Sequence, residues 1–194
     1  MSHLKKADER LAKVIKKVGP CRLFHAEQDR LWVLVSSIAS QQLSNKAAAT
    51  ILARVTALIG DDSRALCDRI CGVDPVDLKG CGLSAAKAAC VRSLAQAVQA
   101  GELDLDALTT QSDEDVSAAL RVHRGVGPWT VQMFLIFGLG RADVFSLGDV
   151  GLRRGLMLLH GLEDKPSDDD VTRLTDHWRP YRTVAAWYLW RLLD

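Results

Sequence analysis

The chain has 194 residues, of which 48% are apolar and 25% charged, with a formal net charge of +1. Those proportions belong to a globular protein and exclude a disordered, fibrous or low-complexity chain. The length exceeds the roughly 100 to 150 residues of a common domain, so it accommodates one large domain or two small ones. No apolar run approaches the roughly 18 residues that a membrane span requires, since the best candidate, residues 31–39, contains Ser36 and Ser37. The opening Met-Ser-His-Leu-Lys-Lys leads into no apolar signal stretch. An intracellular protein without membrane association is therefore expected.

In chain order, apolar periodicity predicts helices over residues 4–17, 31–39, 43–58, 63–70, 84–98, 113–121, 129–138, 150–159, 168–176 and 182–193. Strand signals are nearly absent, and the fold class is all-α. Residues 31–39 are apolar on every side, which predicts a helix buried at the centre of its neighbours. Ser84 stands where an N-cap of the 84–98 helix belongs. Helix punctuation such as Asp74-Pro75, Gly80-Cys81-Gly82 and Gly138-Leu139-Gly140 separates the periodic segments. None of it is a flexible Gly/Ser or Pro linker, so any two domains should pack directly on each other.

A net charge near zero would argue against a nucleic-acid partner, but the charge is unevenly spread. Residues 1–60 carry 10 basic and 4 acidic side chains and residues 121–155 carry 5 and 2, whereas residues 61–120 carry 5 and 11. Locally basic surface is enough for phosphate contact. Solvated helix faces produce the same segregation, so charge alone leaves both readings open. Five cysteines, Cys21, Cys67, Cys71, Cys81 and Cys90, form an odd set with no Cys-x2-Cys pair and no histidine between residues 26 and 122. Structural thiols account for them better than disulfides or a metal site.

Three segments have the composition of a site. The first, Gly125-Val-Gly127-Pro-Trp129-Thr130, places two glycines and a proline between helical segments. Such a turn aims helix-start amides outward, where they and the helix dipole favour an anion, although an ordinary tight turn fits the same residues. The second holds Asp149 immediately before the 150–159 helix. An N-cap is the common use of aspartate there, and an anion fixed in that place can also stabilise a positively charged transition state. The third is the tail, where Tyr181, Trp187, Tyr188 and Trp190 cluster. Core packing explains some of these rings, and aromatic faces also stack on nucleobases, cationic ones in particular.

Four blocks in order resemble the helix-hairpin-helix (HhH-GPD) DNA glycosylases, and among them the alkylbase, AlkA-type 3-methyladenine DNA glycosylase II branch. They are Ile38-Ala-Ser-Gln-Gln-Leu-Ser-Asn-Lys-Ala-Ala, Gly82-Leu-Ser-Ala-Ala-Lys87-Ala, the hairpin followed by Asp149, and Trp178-Arg-Pro-Tyr-Arg-Thr-Val-Ala-Ala-Trp-Tyr-Leu-Trp190. The resemblance implies a two-lobed fold with the active-site cleft between the lobes. One six-helix lobe would cover residues 29–140 and contain the hairpin, and the other would combine residues 1–28 with 141–194 and carry the catalytic aspartate.

Carried over by motif, Asp149 corresponds to the essential aspartate of a monofunctional enzyme that excises alkylated purines such as 3-methyladenine and 7-methylguanine. Gly125, Gly127 and Thr130 correspond to the phosphate-gripping hairpin, whose carbonyls hold a monovalent cation in many members. Gln42, with Leu43, corresponds to the side chain that fills the gap left by a flipped-out nucleotide. Trp129, Trp190 and Met133 fall at positions near the base pocket. The expected partner is double-stranded DNA carrying damaged bases, bound by a monomer. Lyase members carry a lysine where this chain has Trp129, so strand cleavage through a Schiff base is not expected. Iron–sulfur members carry four cysteines near the C-terminus and this chain has none after Cys90, so no cluster is expected. Gly148 replaces an aspartate common beside the catalytic one, and Ser40 replaces a common glycine. Those departures keep open an alternative, a catalytically weak or inactive module that binds damaged or abasic DNA.

Overall fold

The computed structural model describes residues 2–23, 29–60 and 66–193. In chain order the helices are α1 (Ser2–Ala7), α2 (Glu9–Val18), α3 (Arg30–Ser40), α4 (Asn45–Ile59), α5 (Leu66–Gly72), α6 (Pro75–Gly80), α7 (Ala85–Gln99) and α8 (Asp113–Arg121). They continue with α9 (Pro128–Met133), α10 (Val150–His160), α11 (Asp168–Thr175) and α12 (Arg182–Arg191). A single wider, π-type turn, Phe134–Gly138, extends α9. No strand occurs among the described residues, and none of their helices is long and apolar enough to cross a membrane. The chain divides into two compact units, Gln28–Leu139 and the pair of segments Met1–Glu27 and Gly140–Asp194.

Within Gln28–Leu139, α3 is the central helix and packs against α4, α7, α9 and the π turn. Its apolar circumference explains that place, because Leu31, Val33, Leu34, Val35 and Ile38 are all buried. Each such side chain contributes roughly 1.5 to 3 kcal/mol on leaving water. Asp29 starts the helix by accepting the Trp32 N–H at 2.8 Å. Ser84 caps α7 as its position predicts, accepting the Lys87 N–H at 3.2 Å. The predicted 63–70 helix is seen as α5, and residues 63–65 lie outside the described residues. Asp74 and Pro75 do more than punctuate: they cap and open α6, which is too short to show a period of its own.

In the other unit, Leu11, Ile15, Leu152, Leu156, Trp178 and Tyr188 form the core. The single helix predicted over residues 4–17 is two helices, divided at Asp8. The Asp8 Oδ1 accepts the Arg10 and Leu11 N–H groups at 2.8 and 3.0 Å, while Oδ2 accepts the Trp178 Nε1–H at 3.0 Å. Leu4, Leu11, Val14 and Ile15 stay in phase across this break, which is why periodicity does not reveal it. Gly155 lets α10 and α12 approach closely, since a Cβ there would lie 2.8 Å from the Leu189 Cβ.

Candidate active site

The hairpin follows α8. Val126 N–H donates to the His123 carbonyl at 3.1 Å, Gly125 sits at φ +101°, and Gly127 opens α9 with no side chain capping it. The two glycines have different reasons. A Cβ on Gly125 would fall 2.9 Å from the Cys90 Sγ, so packing beneath the turn requires its absence in addition to the left-handed backbone. Gly127 has an ordinary extended backbone (φ −97°, ψ 176°), and a Cβ there would meet nothing within 4 Å. The fold itself gives no reason for a glycine at 127.

A second turn adjoins the hairpin in the same unit. Gln41 ends α3, and its Nε2 donates to the Gly125 carbonyl at 3.0 Å and to the Thr130 Oγ1 at 2.9 Å. Gln42, next in the chain, is exposed at φ +58° and is followed by Leu43, 40% exposed.

In the unit of Met1–Glu27 and Gly140–Asp194, Asp149 N-caps α10. Its Oδ1 accepts the Leu152 N–H at 2.7 Å and the Trp190 Nε1–H at 3.3 Å, and the residue is 9% exposed. Gly151 makes this arrangement possible, because a Cβ there would stand 3.1 Å from the Asp149 Oδ1 and 3.3 Å from the Trp190 ring. The loop leading to Asp149 is tied to the start of α12. The Thr183 Oγ1 accepts the Val144 N–H at 2.8 Å and donates to the Arg141 carbonyl at 2.7 Å, and the Arg182 Nε donates to the Asp143 Oδ1 at 2.8 Å. Helix α12 therefore holds the loop at one end and the carboxylate at the other.

The family model for the HhH-GPD superfamily base excision DNA repair protein matches residues 35–180. The chain belongs to this family. Alkylbase DNA glycosidase-like protein mag2 of Schizosaccharomyces pombe is 33% identical over 193 residues, covering 98% of this chain and 91% of its own. DNA-3-methyladenine glycosylase 1 of the same yeast is 33% identical over 192 residues, covering 97% and 84%. The solved structure of the S. pombe 3-methyladenine DNA glycosylase Mag1 in complex with abasic DNA superposes with a TM-score of 0.87 at 34% identity, covering 97% of this chain and 93% of that one.

Within this HhH-GPD chain the predicted site residues fall into two sets. Gln42, Leu43, Gly125, Gly127, Trp129, Thr130 and Met133 belong to the unit of Gln28–Leu139, and Asp149 and Trp190 to the other. Thr130 corrects one expectation. It is 0% exposed with its hydroxyl engaged by Gln41, so it has no surface to offer a phosphate and instead braces the hairpin. Met133 is only 4% exposed, whereas Trp129 and Trp190 are half-buried. Arg153, one of the five basic residues of the 121–155 segment, turns inward: its guanidinium donates to the Leu147 carbonyl at 2.8 Å, to the Pro166 carbonyl and to Asp168. It thereby fixes the turn just ahead of Asp149. Sequence reasoning assigned Gln41 no role, because its partners lie more than 80 residues away. All five cysteines are free thiols, and no group of residues suited to hold a metal through His, Cys, Asp or Glu occurs among the described residues.

Proposed function

We propose that the protein is a monofunctional DNA glycosylase that removes alkylated purines, of the 3-methyladenine and 7-methylguanine type, from double-stranded DNA and leaves an abasic site. The observation that carries this reading is the Asp149 carboxylate, enclosed and fixed by the Leu152 N–H and the Trp190 indole N–H. Breaking an N-glycosidic bond passes through an oxocarbenium-like sugar, and an anion already in place stabilises that charge without reorganising. N-alkylation makes the base cationic and hence a good leaving group, so little acid catalysis is needed. Stacking on the Trp190 ring, which lies beside Asp149, would favour such a base by roughly 0.5 to 2 kcal/mol. The 3-methyladenine named in the relatives supports this substrate class.

The remaining parts supply grip and access. The hairpin takes the phosphate backbone through the Gly127 end of α9, where the missing side chain leaves room for close approach. Gln42, with Leu43 beside it, fills the stack when the target nucleotide leaves it, a step that costs a few kcal/mol and least at weakened pairs. A monovalent cation suits the chemistry of the hairpin. The His123 and Gly125 carbonyls each receive one N–H, from Val126 and from the Gln41 amide, and a carbonyl oxygen has a second lone pair to offer. Trp129 stands where a Schiff-base lysine would be needed, so the strand stays intact.

The test is to incubate the protein with methylated duplex DNA and to measure free base by chromatography. Release of methylated purines, with no borohydride-trapped protein–DNA adduct, is expected. Tight binding to abasic DNA without release at high protein concentration would instead select a non-catalytic reader of damaged DNA.

A further inference from the structure

We propose that Lys87 is a positioning residue for base flipping: its ammonium ties down the end of α3 and so presents Gln42, while the Gln41 side chain joins that turn to the phosphate-gripping hairpin. The inference rests on the reading of Gln42 as the side chain that replaces the flipped nucleotide.

Lys87 Nζ donates to the Ala39 carbonyl at 3.0 Å and to the Gln41 carbonyl at 2.8 Å. These groups lie at the C-terminal end of α3, where carbonyls lack helical partners and the dipole is negative. Seen from its own helix, the lysine is badly placed. It stands in the first turn of α7, the positive end of that dipole, and burial pushes its pKa below the usual lysine range. The contact with α3 is what offsets both costs.

Its effect falls on the next residue. Gln42 is the one non-glycine residue at positive φ among the described residues, a conformation that persists only where the surroundings over-determine it. Here they do so on both sides. The Gln41 carbonyl is held by Lys87, the Gln41 side chain by Gly125 and Thr130, and the Leu43 N–H donates to the Ser40 carbonyl at 3.2 Å. The turn therefore cannot relax when the base stack resists entry. Through Gln41, the backbone that grips phosphate and the backbone that carries the wedge are braced as one piece.

A lysine acting only as a fastener between helices would, on removal, weaken every activity alike. A positioning residue acts on the flipping step, and the deficit should shrink when flipping is made easy. Single-turnover release of 7-methylguanine is measured from duplexes with the lesion opposite cytosine or opposite an abasic site, the second being already unpaired. Lys87→Met should release base about tenfold more slowly from the paired duplex, the size of losing one hydrogen bond to a charged group. On the unpaired duplex its rate should approach that of the wild type. Lys87→Arg, which keeps a cation and donors, should recover most of the paired-duplex rate, and Gln42→Ala should show the same paired-only deficit. If Lys87→Met does not fold, Lys87→Gln carries the test with the same expected pattern.

An equal loss on both duplexes, or none on either, overturns the role of Lys87 while Gln42→Ala still shows its deficit. No paired-only deficit in Gln42→Ala overturns the wedge reading itself, and the role of Lys87 falls with it.

Discussion

The two units organise their functional groups in opposite ways. In Gln28–Leu139, side chains hold main chain: Gln41 and Lys87 brace the hairpin and the Gln42 turn, and what is presented outward is backbone and a turn residue. In the other unit, main chain and scaffold hold a side chain: the Leu152 amide and the α12 tether fix the Asp149 carboxylate. Substitutions should divide along that line. Those in the first unit should alter binding and access, and those in the second should alter chemistry.

The largest effect is expected at Asp149. Asp149→Asn removes the charge but keeps a residue that caps a helix about as well as aspartate. Base release should fall by roughly 100-fold or more, the scale of losing one preorganised electrostatic contact to a developing charge. Thermal denaturation should move little and abasic-DNA binding should persist. Asp149→Ala adds the loss of the cap, about 1 kcal/mol, so its melting temperature should drop as well. If Asp149→Asn kept a tenth of the wild-type rate, the carboxylate would not be the chemical group, and the division between the units would fail at its strongest point.

The hairpin glycines sharpen the comparison inside one unit. Gly125→Ala forces a Cβ onto Cys90 at a left-handed position, and the fold should lose about 1 to 3 kcal/mol, read as a lower melting temperature. Gly127→Ala meets open space with a permitted backbone, so stability should hold or rise by about half a kcal/mol through a less flexible unfolded chain. Its affinity for duplex DNA, measured by fluorescence anisotropy, should nonetheless fall about tenfold, or 1.4 kcal/mol. Unchanged affinity in Gly127→Ala would remove the phosphate contact from that end of α9.

What the sequence disclosed follows the range of the interaction. Asp149 as a cap and Ser84 as a cap are local, each satisfied within three residues, and both were legible. Helix α3 was legible because an all-apolar circumference has one stable environment. Lys87 and Gln41 were not, since their partners lie 46 to 89 residues away and nothing in a lysine at a helix start names the carbonyls it will meet. Thr130 misled because a threonine beside a phosphate-type turn reads the same whether its hydroxyl faces out or in. The contrast of Gly125 with Gly127 also required the fold, as only packing distinguishes a glycine the protein needs from one a ligand needs.

The smallest effect expected is on stability in acid, and it separates the units again. Asp8, Asp143 and Asp170 are held below the usual carboxylate range, and all three lie in the unit that carries Asp149. At Asp8 and Asp143 burial works the other way but is outweighed by hydrogen bonds, from the Leu11 and Arg10 amides, His177 and Trp178 for Asp8, and from Arg182 with the Arg179 charge for Asp143. Asp170, lowered to about 2 by Ser167 and Arg173, lies at the surface with a partly exposed side chain and counts for little. A carboxylate whose folded pKa is depressed stabilises the fold above its unfolded pKa of about 4, and that contribution is lost as pH falls through and below this value. Amides of α2 and α12 should therefore lose hydrogen-exchange protection between about pH 5 and 3 before those of α3 and α7 do. Asp143→Asn should flatten the pH dependence of α12 by about 1 kcal/mol or less, since its partners are partly solvated. Earlier loss in α3 and α7 would mean that the tether to α12 is not what acid breaks. The order expected instead has base release failing in acid through a loosened Asp149 loop, while the hairpin unit still binds DNA.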